Sequence, residues 1–268
     1  MSDLEALDSQ HEAVPTRSVI KTMQLLEQLS RDGESSLGEI ANRLGMHKST
    51  VHRFVNSLKE LGYVRQNPDN ERYSLTLKLF EVGSAVLERT ELWKEAHPIM
   101  KTLAEQTLET VHLAALENDE LVYLHKIEST RALRVSMNTR VGRTAPLHCT
   151  SLGKVLLGSL SERKRERLMK KVRYDRYTEH TRTEPDALAE ELEKVAKRGY
   201  AVDNEEHELG VRCVGAPIRN AVGDVVAALS VSMPSVRLTD ENRDTYTDLV
   251  VRSAQNISYK LGWRPPTT

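Results

Sequence analysis

The chain has 268 residues, of which 39% are hydrophobic and 29% are charged, and its formal net charge is -1. This composition is that of a soluble globular protein, and the length allows one small and one medium-sized domain. Two cysteines are too few for a disulfide framework, so we expect both to be reduced. No apolar run is long enough for a membrane span or a signal peptide, and we therefore expect a cytoplasmic protein without a membrane partner.

Charge is distributed unevenly along the chain. Residues 17–78 hold ten Lys or Arg and seven Asp or Glu, a net charge of +3 in a chain whose total is -1. A mildly basic head on an acidic body suits a DNA-binding domain joined to a domain of another kind.

The first elements in the chain form the smaller domain. Residues 1–15 are acidic and aperiodic, which predicts a disordered arm. A helix is predicted from about residue 17 to residue 30, because apolar residues recur on one face. That face holds Val19, Met23, Leu26 and Leu29.

Residues 37–61 predict two short amphipathic helices with a sharp turn at Gly45, where glycine can adopt a positive φ. This is the pattern of a helix-turn-helix. The buried faces hold Leu37, Ile40, Ala41, Leu44, Val51, Phe54, Val55, Leu58 and Leu61. The opposite face of the second helix carries side chains that bond phosphates and base edges. These candidate DNA-binding residues are Lys48, Ser49, Thr50, His52, Arg53 and Asn56.

Two short strand-like runs, residues 63–66 and 72–75, flank a turn-rich segment and predict a β-hairpin. A helix-turn-helix followed at once by a hairpin is a winged helix. Arg65 and Arg72 lie near the hairpin tip, where they are expected to meet the phosphate backbone or the minor groove. The alternative is that both arginines only solvate a surface hairpin.

A connecting helix is predicted from Thr76, a candidate N-cap, to about Thr90. Leu79, Val82 and Val86 line one side of it. The segment is either a rigid connector or part of a dimer seam. The apolar stripe favours the seam, because a helix between two domains has few neighbours to cover it.

The remaining residues predict an α+β domain, because hairpins are joined directly and helices stand at the ends. Strands are predicted at 110–116, 121–127, 131–137, 211–218 and 225–233. Helices are predicted at 97–107, 150–160, 161–171, 186–198 and 239–261.

Familiar catalytic motifs are missing from the second half. It has no Gly-rich phosphate loop, no G-x-S-x-G and no H-E-x-x-H, so we predict no enzyme activity, no cofactor and no metal. Convergence of Asp203, His207 and Cys213 on a metal is left open as an alternative. So is an enzyme that acts on a carbonyl substrate with Cys149 or Cys213 as the nucleophile.

Two features indicate a small-molecule pocket. The segment 146–154 leads from a loop into a helix start, whose free N–H groups favour an anion, and Arg140 and Arg143 lie just upstream. Ser230 and Ser232 are two residues apart on a strand, so both hydroxyls lie on one sheet face. The alternative is a capped helix and two serines that face solvent.

Four segments together resemble the IclR family of bacterial transcription regulators: HKSTVHRFVNSLKELGYV, ERYSLTLKLFEVG, PLHCTSLGKVLL and DNEEHELGVRCVGAPI. The resemblance covers about residues 17–262 and is nearest to KdgR-like members, which respond to a 2-keto-3-deoxy sugar acid. It implies an N-terminal winged helix-turn-helix at 16–75, a dimerising connecting helix at 76–92, and a GAF/PAS-like effector domain with an antiparallel sheet at 93–268.

The resemblance also implies an effector site. Its residues are Met137, Ser151, Leu152, Gly153, Asp203, Cys213, Ser230 and Ser232. A carboxylate is expected at the N–H groups of residues 151–153. An ionised Asp203 is expected to accept from ligand hydroxyls.

The leading hypothesis is therefore a metabolite-responsive repressor of a catabolic operon. It binds double-stranded operator DNA as a homodimer or homotetramer, and its effector is an anionic sugar acid or small oxo-acid. The rival hypotheses are the carbonyl enzyme and a DNA-binding scaffold whose second domain binds no ligand.

Overall fold

The computed structural model describes residues 16–88, 91–135 and 139–265. The chain divides into two compact units, and the boundary falls between Val86 and Leu87. Each unit has its own hydrophobic core. The predicted arm at 1–15 and the predicted end of the connecting helix at 89–90 lie outside the described residues.

The N-terminal unit is a three-helix core with a small antiparallel sheet in the order β1-β3-β2. Its elements are α1 (Arg17–Asp32), β1 (Glu34–Ser35), α2 (Leu37–Leu44), α3 (Lys48–Glu60), β2 (Val64–Gln66) and β3 (Tyr73–Leu75), and α4 (Lys78–Glu88) follows them. The order of the elements confirms the winged helix-turn-helix.

Local chemistry fixes the turn of the helix-turn-helix. The Ser36 hydroxyl accepts from Glu39 N–H while the Glu39 carboxylate accepts from Ser36 N–H. These two reciprocal hydrogen bonds form a complete capping box at the start of α2. At the other end Gly45 has a φ of 61°, the left-handed conformation that was predicted for it.

The face that α1 buries differs from the prediction. Leu25 and Leu29 are buried, whereas Val19 is 60% and Met23 52% exposed. The small core contacts only part of this helix, so the N-terminal half of the apolar stripe faces outward. The buried partners in this core are Ile40, Ala41, Val51, Val55, Leu58, Val64 and Tyr73.

The C-terminal unit is built on a six-stranded antiparallel sheet in the order β6-β5-β4-β9-β8-β7. Its elements are α5 (Glu91–Thr107), β4 (Thr110–Glu117), β5 (Glu120–Ile127), β6 (Thr144–Ala145), α6 (Ser151–Gly158), α7 (Glu162–Met169), α8 (Pro185–Arg198), β7 (Ala201–Asn204), β8 (Val211–Arg219), β9 (Val225–Pro234) and α9 (Arg243–Lys260).

The two faces of this sheet are covered by different helices. Alternate residues such as Leu113, Val214 and Val231 pack with α5 and α9. The other set includes Ala114 and Ala228, which lie in a second cluster with α6 and α8. Because successive side chains of a strand point to opposite faces, each central strand serves both layers.

The strand predicted at 131–137 is wrong for its described part, since residues 131–135 form no strand. Side chains hold this segment instead: Arg131 lies 3.4 Å from Glu109, and the Leu133 carbonyl accepts from Arg237 at 2.8 Å. The strands β1, β6 and β7 were not predicted, because two to four residues give too short a periodic signal.

Candidate functional site

The outward face of α3 carries the predicted DNA-reading side chains. Lys48, Ser49, His52 and Arg53 are exposed, and Thr50 and Asn56 are partly buried. Val51, Val55 and Leu58 anchor the opposite face in the core. A rigid helix that presents a row of donors on one side is the geometry with which a recognition helix enters the major groove.

Side chains on this face are partly organised in advance. The Asn56 amide donates to a ring nitrogen of His52, with Nδ2 and Nε2 3.3 Å apart and the residues one helical turn apart. Arg53 has no side-chain partner among the described residues, so its five donors remain available.

The two wing arginines are held differently. Arg65 Nε donates to the Ser74 hydroxyl across the hairpin at 3.1 Å. Arg72 Nη2 donates to the Glu39 carboxylate at 2.6 Å and to the Glu34 carbonyl at 3.1 Å. Arg72 therefore ties the wing to α2, and a phosphate would have to compete with Glu39 for it.

In the C-terminal unit the strand register brings the predicted pocket residues together. Asp203 on β7 faces Cys213 on β8, and Cys213 faces Ser232 on β9. Two residues further along each strand, on the same face, Gly215 faces Ser230, and Ser230 faces His112 on β4. Ser230 and Ser232 are each 1% exposed, so the alternative of solvent-facing serines is wrong.

Helix α6 lies against this face because two glycines allow it. A Cβ on Gly215 would lie 3.2 Å from the Ser151 hydroxyl. A Cβ on Gly153 would lie 2.6 Å from the Leu147 Cα and closer still to the Leu147 carbonyl oxygen. The start of α6, including buried Ser151 and Leu152, is thereby set on the polar part of the sheet.

The helix start offers two N–H groups rather than the three that were predicted. The Thr150 hydroxyl accepts from Gly153 N–H at 3.0 Å, as an N-cap does. The N–H groups of Ser151 and Leu152 have no partner among the described residues. The prediction for Gly153 is corrected accordingly: its role is close packing, and its N–H is already bonded.

Asp203 has unusual chemistry for a carboxylic acid. It is 2% exposed, and burial raises its pKa to about 7, with Lys154 acting in the opposite direction. Its Oδ1 accepts from Glu206 N–H at 2.8 Å. Below about pH 7 the side chain is therefore mostly protonated and can donate a hydrogen bond, whereas the sequence led us to expect an ionised acceptor.

A buried ion network beside Asp203 was not predicted. Lys154 of α6 is fully buried and donates to the Val202 carbonyl and, at 2.5 Å, to Glu206 Oε1. Arg182 Nη1 lies 2.5 Å from the other oxygen of Glu206. The available signal was a lysine in an otherwise apolar helix, which must be paired if it is buried.

His112 and Tyr123 also belong to this face and were missed. His112 Nε2 lies 2.9 Å from the Thr139 hydroxyl, and its Nδ1 lies 3.4 Å from the Ser232 hydroxyl. Burial lowers the His112 pKa to about 3, so the ring is neutral. The Tyr123 ring is 5.3 Å from it, and burial raises the pKa of its phenol.

The remaining candidates fall into three groups. Met137 lies outside the described residues, and Arg140 and Arg143 are exposed. Cys149 and Cys213 are buried, and burial raises the pKa of both thiols, so neither is a thiolate at neutral pH. Among the described residues no three His, Cys, Asp or Glu side chains converge to hold a metal ion.

The sequence matches two family descriptions in chain order. Residues 18–68 match the IclR helix-turn-helix domain, and residues 84–259 match "Bacterial transcriptional regulator IclR C-terminal". The chain belongs to the IclR family of transcriptional regulators. The winged helix-turn-helix is therefore a DNA-binding domain. Separately, none of the described helices is long and apolar enough to cross a membrane.

Relatives and solved structures agree with this placement. The chain is 41% identical over 257 residues to the regulator KdgR of Escherichia coli, covering 96% of each chain, and falls with the KdgR-like members. It is 32% identical to the transcriptional repressor IclR of E. coli, covering 92% of this chain and 90% of that protein.

Two crystal structures have the same fold. The Thermotoga maritima IclR structure has a TM-score of 0.79 and 36% identity, covering 92% of this chain and 99% of that one. An IclR homolog of Microbacterium hydrocarbonoxydans, complexed with 4-hydroxybenzoate, has a TM-score of 0.80 and 27% identity, covering 91% and 98%.

Proposed function

We propose that this regulator represses a catabolic operon and is released from its operator when an anionic sugar acid or small oxo-acid binds its C-terminal unit. The observation that carries the proposal is the polar row of Asp203, Cys213 and Ser232 on a buried sheet face, next to two free helix N–H groups. Repression is the direction that the name of the E. coli relative IclR indicates.

DNA recognition is assigned to the exposed face of α3, with Arg53 as the main base-reading residue. An unpaired arginine on a recognition helix pairs bidentately with guanine, and losing that contact costs about 1–3 kcal/mol. We expect Arg53→Ala to bind the operator about tenfold or more weakly at constant salt and to lose discrimination at one base pair.

The matched control is Arg31→Ala, an exposed arginine of α1 whose partner is Glu27. Fluorescence anisotropy with an operator selected by the wild-type protein measures both variants. Equal operator affinity for Arg53→Ala and wild type would contradict the docking of α3.

The binding unit is proposed to be at least a dimer. The described residues of the N-terminal unit and the start of α4 expose seven large apolar side chains that a monomer leaves in water: Val19, Ile20, Met23, Leu61, Leu77, Phe80 and Val82. Such a surface is typical of a protein contact. A dimer of winged helices requires a near-palindromic operator with half-sites about 34–36 Å apart.

The effector class follows from the donors and acceptors of the site. The N–H groups of Ser151 and Leu152 favour a carboxylate, while Ser230, Ser232 and protonated Asp203 bond hydroxyl or carbonyl oxygens. The Microbacterium relative holds 4-hydroxybenzoate, a carboxylate with a hydroxyl group. Hydroxylated acids are therefore expected to bind more tightly than bare alkyl acids.

Calorimetry with four probes tests this assignment: a 2-keto-3-deoxy sugar acid, a hexuronate, pyruvate and hexanoate. Asp203→Ala with Ser230→Ala is expected to abolish binding of the preferred acid while operator binding persists. Asp224→Ala with Ser161→Ala is the control, since both residues are exposed and Ser161, the N-cap of α7, makes no side-chain capping bond. Unchanged affinity in the first variant would place the effector elsewhere.

The ligandless scaffold predicts no heat and no rise in melting temperature with any acid. The enzyme alternative is disfavoured, because both thiols are buried and protonated. Helix α4 crosses the boundary between the units, so we assign it the transmission of the effector signal. The coupling expected is about 1–3 kcal/mol, or 5–150-fold in operator affinity.

A further inference from the structure

A strongly basic surface of the C-terminal unit has no part in the effector site. Residues 161–176 hold eight Lys or Arg and three Asp or Glu, a net charge of +5 in a chain whose total is -1. Most of this charge lies on and just after α7. Seven of the eight cations are exposed, and four of these form what we call the basic stripe: Arg163, Lys164, Arg167 and Lys170.

The stripe is a fixed row rather than a loose tail. Buried Leu168 anchors α7 to the core that also contains α6 and α8. Residues three, four and seven apart lie on one face of a helix, so Arg163, Arg167 and Lys170 point the same way. They span roughly 10 Å at about 1.5 Å per residue.

The positive charge of the stripe is only partly compensated. Asp119 lies 3.3 Å from Arg167 and 2.7 Å from Lys171, both through side-chain atoms. Within the described part of the chain, no carboxylate lies within 4 Å of Arg163, Lys164 or Lys170. Neighbouring like charges on a helix repel one another, and an external polyanion removes that repulsion.

The surroundings of the stripe favour a nucleic acid over a protein. Protein interfaces use apolar or aromatic anchors at their centre. The apolar residues of α7 are buried Leu168 and partly buried Met169, so its exposed residues are all charged: the cations of the stripe with Glu162 and Glu166 beside them. Phosphate contacts need only cations. A duplex held by the N-terminal unit is also present at high effective concentration, because both units belong to one chain.

We propose that the basic stripe binds the phosphate backbone of duplex DNA that flanks the operator, independently of its sequence. The proposal rests on the proposed operator binding and adds a second DNA contact in the effector-binding unit. Operators with natural flanks then bind more tightly than trimmed operators, and the difference disappears at high salt.

The test compares a duplex trimmed to the selected operator with the same operator carrying a random 30-base-pair flank on each side, a length chosen as roughly three helical turns. The variant is Arg163→Glu with Lys170→Glu. Its control is Lys194→Glu with Lys197→Glu, an equal charge change on the exposed side of α8. Melting curves check that both variants fold.

We expect the stripe variant to bind the flanked duplex about tenfold more weakly than wild type, with a salt slope shallower by about 2, and to bind the trimmed duplex like the control. The proposal would be overturned if the wild type showed equal salt slopes on both duplexes. It would also be overturned if the stripe variant and the control bound the flanked duplex equally, which is the result expected if the stripe binds an acidic protein instead. If the wild type failed to bind the trimmed operator, the proposed function would be refuted instead. The affinity of wild type and stripe variant for a random duplex would then still test whether the stripe binds DNA.

Discussion

The buried ammonium of Lys154 lies 2.5 Å from Oε1 of Glu206, and this ion pair joins the first turns of α6 to the segment after β7. Glu206 in turn donates its backbone N–H to the carboxyl group of Asp203. The pair thus holds together the two sides of the proposed effector site, the helix start and the acidic strand end. Such a buried ion pair fixes the relative positions of the two segments, whereas its net contribution to stability is small because burying both charges costs desolvation free energy.

Removing one partner of the pair is expected to destabilise the protein unequally. Glu206→Gln leaves the buried ammonium of Lys154 with neutral oxygens of the Val202 carbonyl and the new amide but without its charged partner, so this change should lower the free energy of unfolding by about 3–5 kcal/mol. Lys154→Met should cost less, because Arg182 still compensates Glu206. Urea unfolding measures both.

The control is Arg252→Ala, which breaks an exposed ion pair with Asp248 and should cost less than about 1 kcal/mol. A smaller loss for Glu206→Gln than for Lys154→Met would contradict the assigned network.

The raised pKa of Asp203 gives stability a specific pH dependence. Its ordinary value is 3.8 and its value here is about 7, so the folded chain binds this proton more tightly than the unfolded chain. The stabilising contribution is complete below about pH 4 and is lost as the pH rises through about 7, an effect of up to about 4 kcal/mol. Asp203→Asn should flatten the pH profile of unfolding between these limits.

Effector binding should follow the same titration. Ionised Asp203 repels an anionic ligand, so affinity should fall above about pH 7 in the wild type and change little in Asp203→Asn. Calorimetry with the preferred acid at pH 6 and pH 8, chosen about one unit on either side, measures this. Equal affinities at the two pH values in the wild type would argue against contact with Asp203.

Close packing at Gly153 predicts a large effect of one methyl group. Gly153→Ala places a Cβ against the backbone of Leu147, which cannot move as a flexible side chain can, and should cost about 3 kcal/mol or more. Gly38→Ala in α2 is the control, since its Cβ meets the end of the flexible Lys48 side chain at 3.4 Å and the Ser36 hydroxyl at 3.9 Å, and the change should be neutral or stabilising. Thermal unfolding distinguishes the two.

The two wing arginines should have separable effects. Arg65→Ala should leave the melting temperature unchanged and make the salt slope of operator binding shallower by about 1. Arg72→Ala removes the bonds to Glu39 and Glu34 and should lower the melting temperature of the N-terminal unit. Identical effects of both substitutions on the melting temperature would show that Arg72 does not hold the wing.

The exposed apolar surface predicts self-association. Phe80 is 73% exposed at the start of α4, and Phe80→Glu should shift the protein toward the monomer in sedimentation at micromolar concentration. Lys59→Glu, on an exposed position of α3, is the control. A wild-type monomer with full operator affinity would contradict the dimer.

The sequence by itself determined the elements of the winged helix. Gly45 and the apolar stripes of α2 and α3 are local signals, because each depends on residues within two helical turns. The same holds for the paired strands β8 and β9 and for the helix start at Ser151. The face that α1 buries could not be predicted this way, because the same apolar periodicity is expected whether the helix packs on its own core or on a second chain.

Only the tertiary structure decided the chemistry of the proposed effector site. Asp203 and His112 are far apart in sequence, and their protonation depends on burial and on neighbours that the sheet register supplies. The use of Gly153 N–H by Thr150, and of Arg72 by Glu39, likewise depends on which partner is nearest in space. The residue type determines which groups can titrate or donate a hydrogen bond. The local dielectric environment and the nearest partner, at a hydrogen-bond distance of roughly 3 Å, determine whether each group is protonated and which bond it makes.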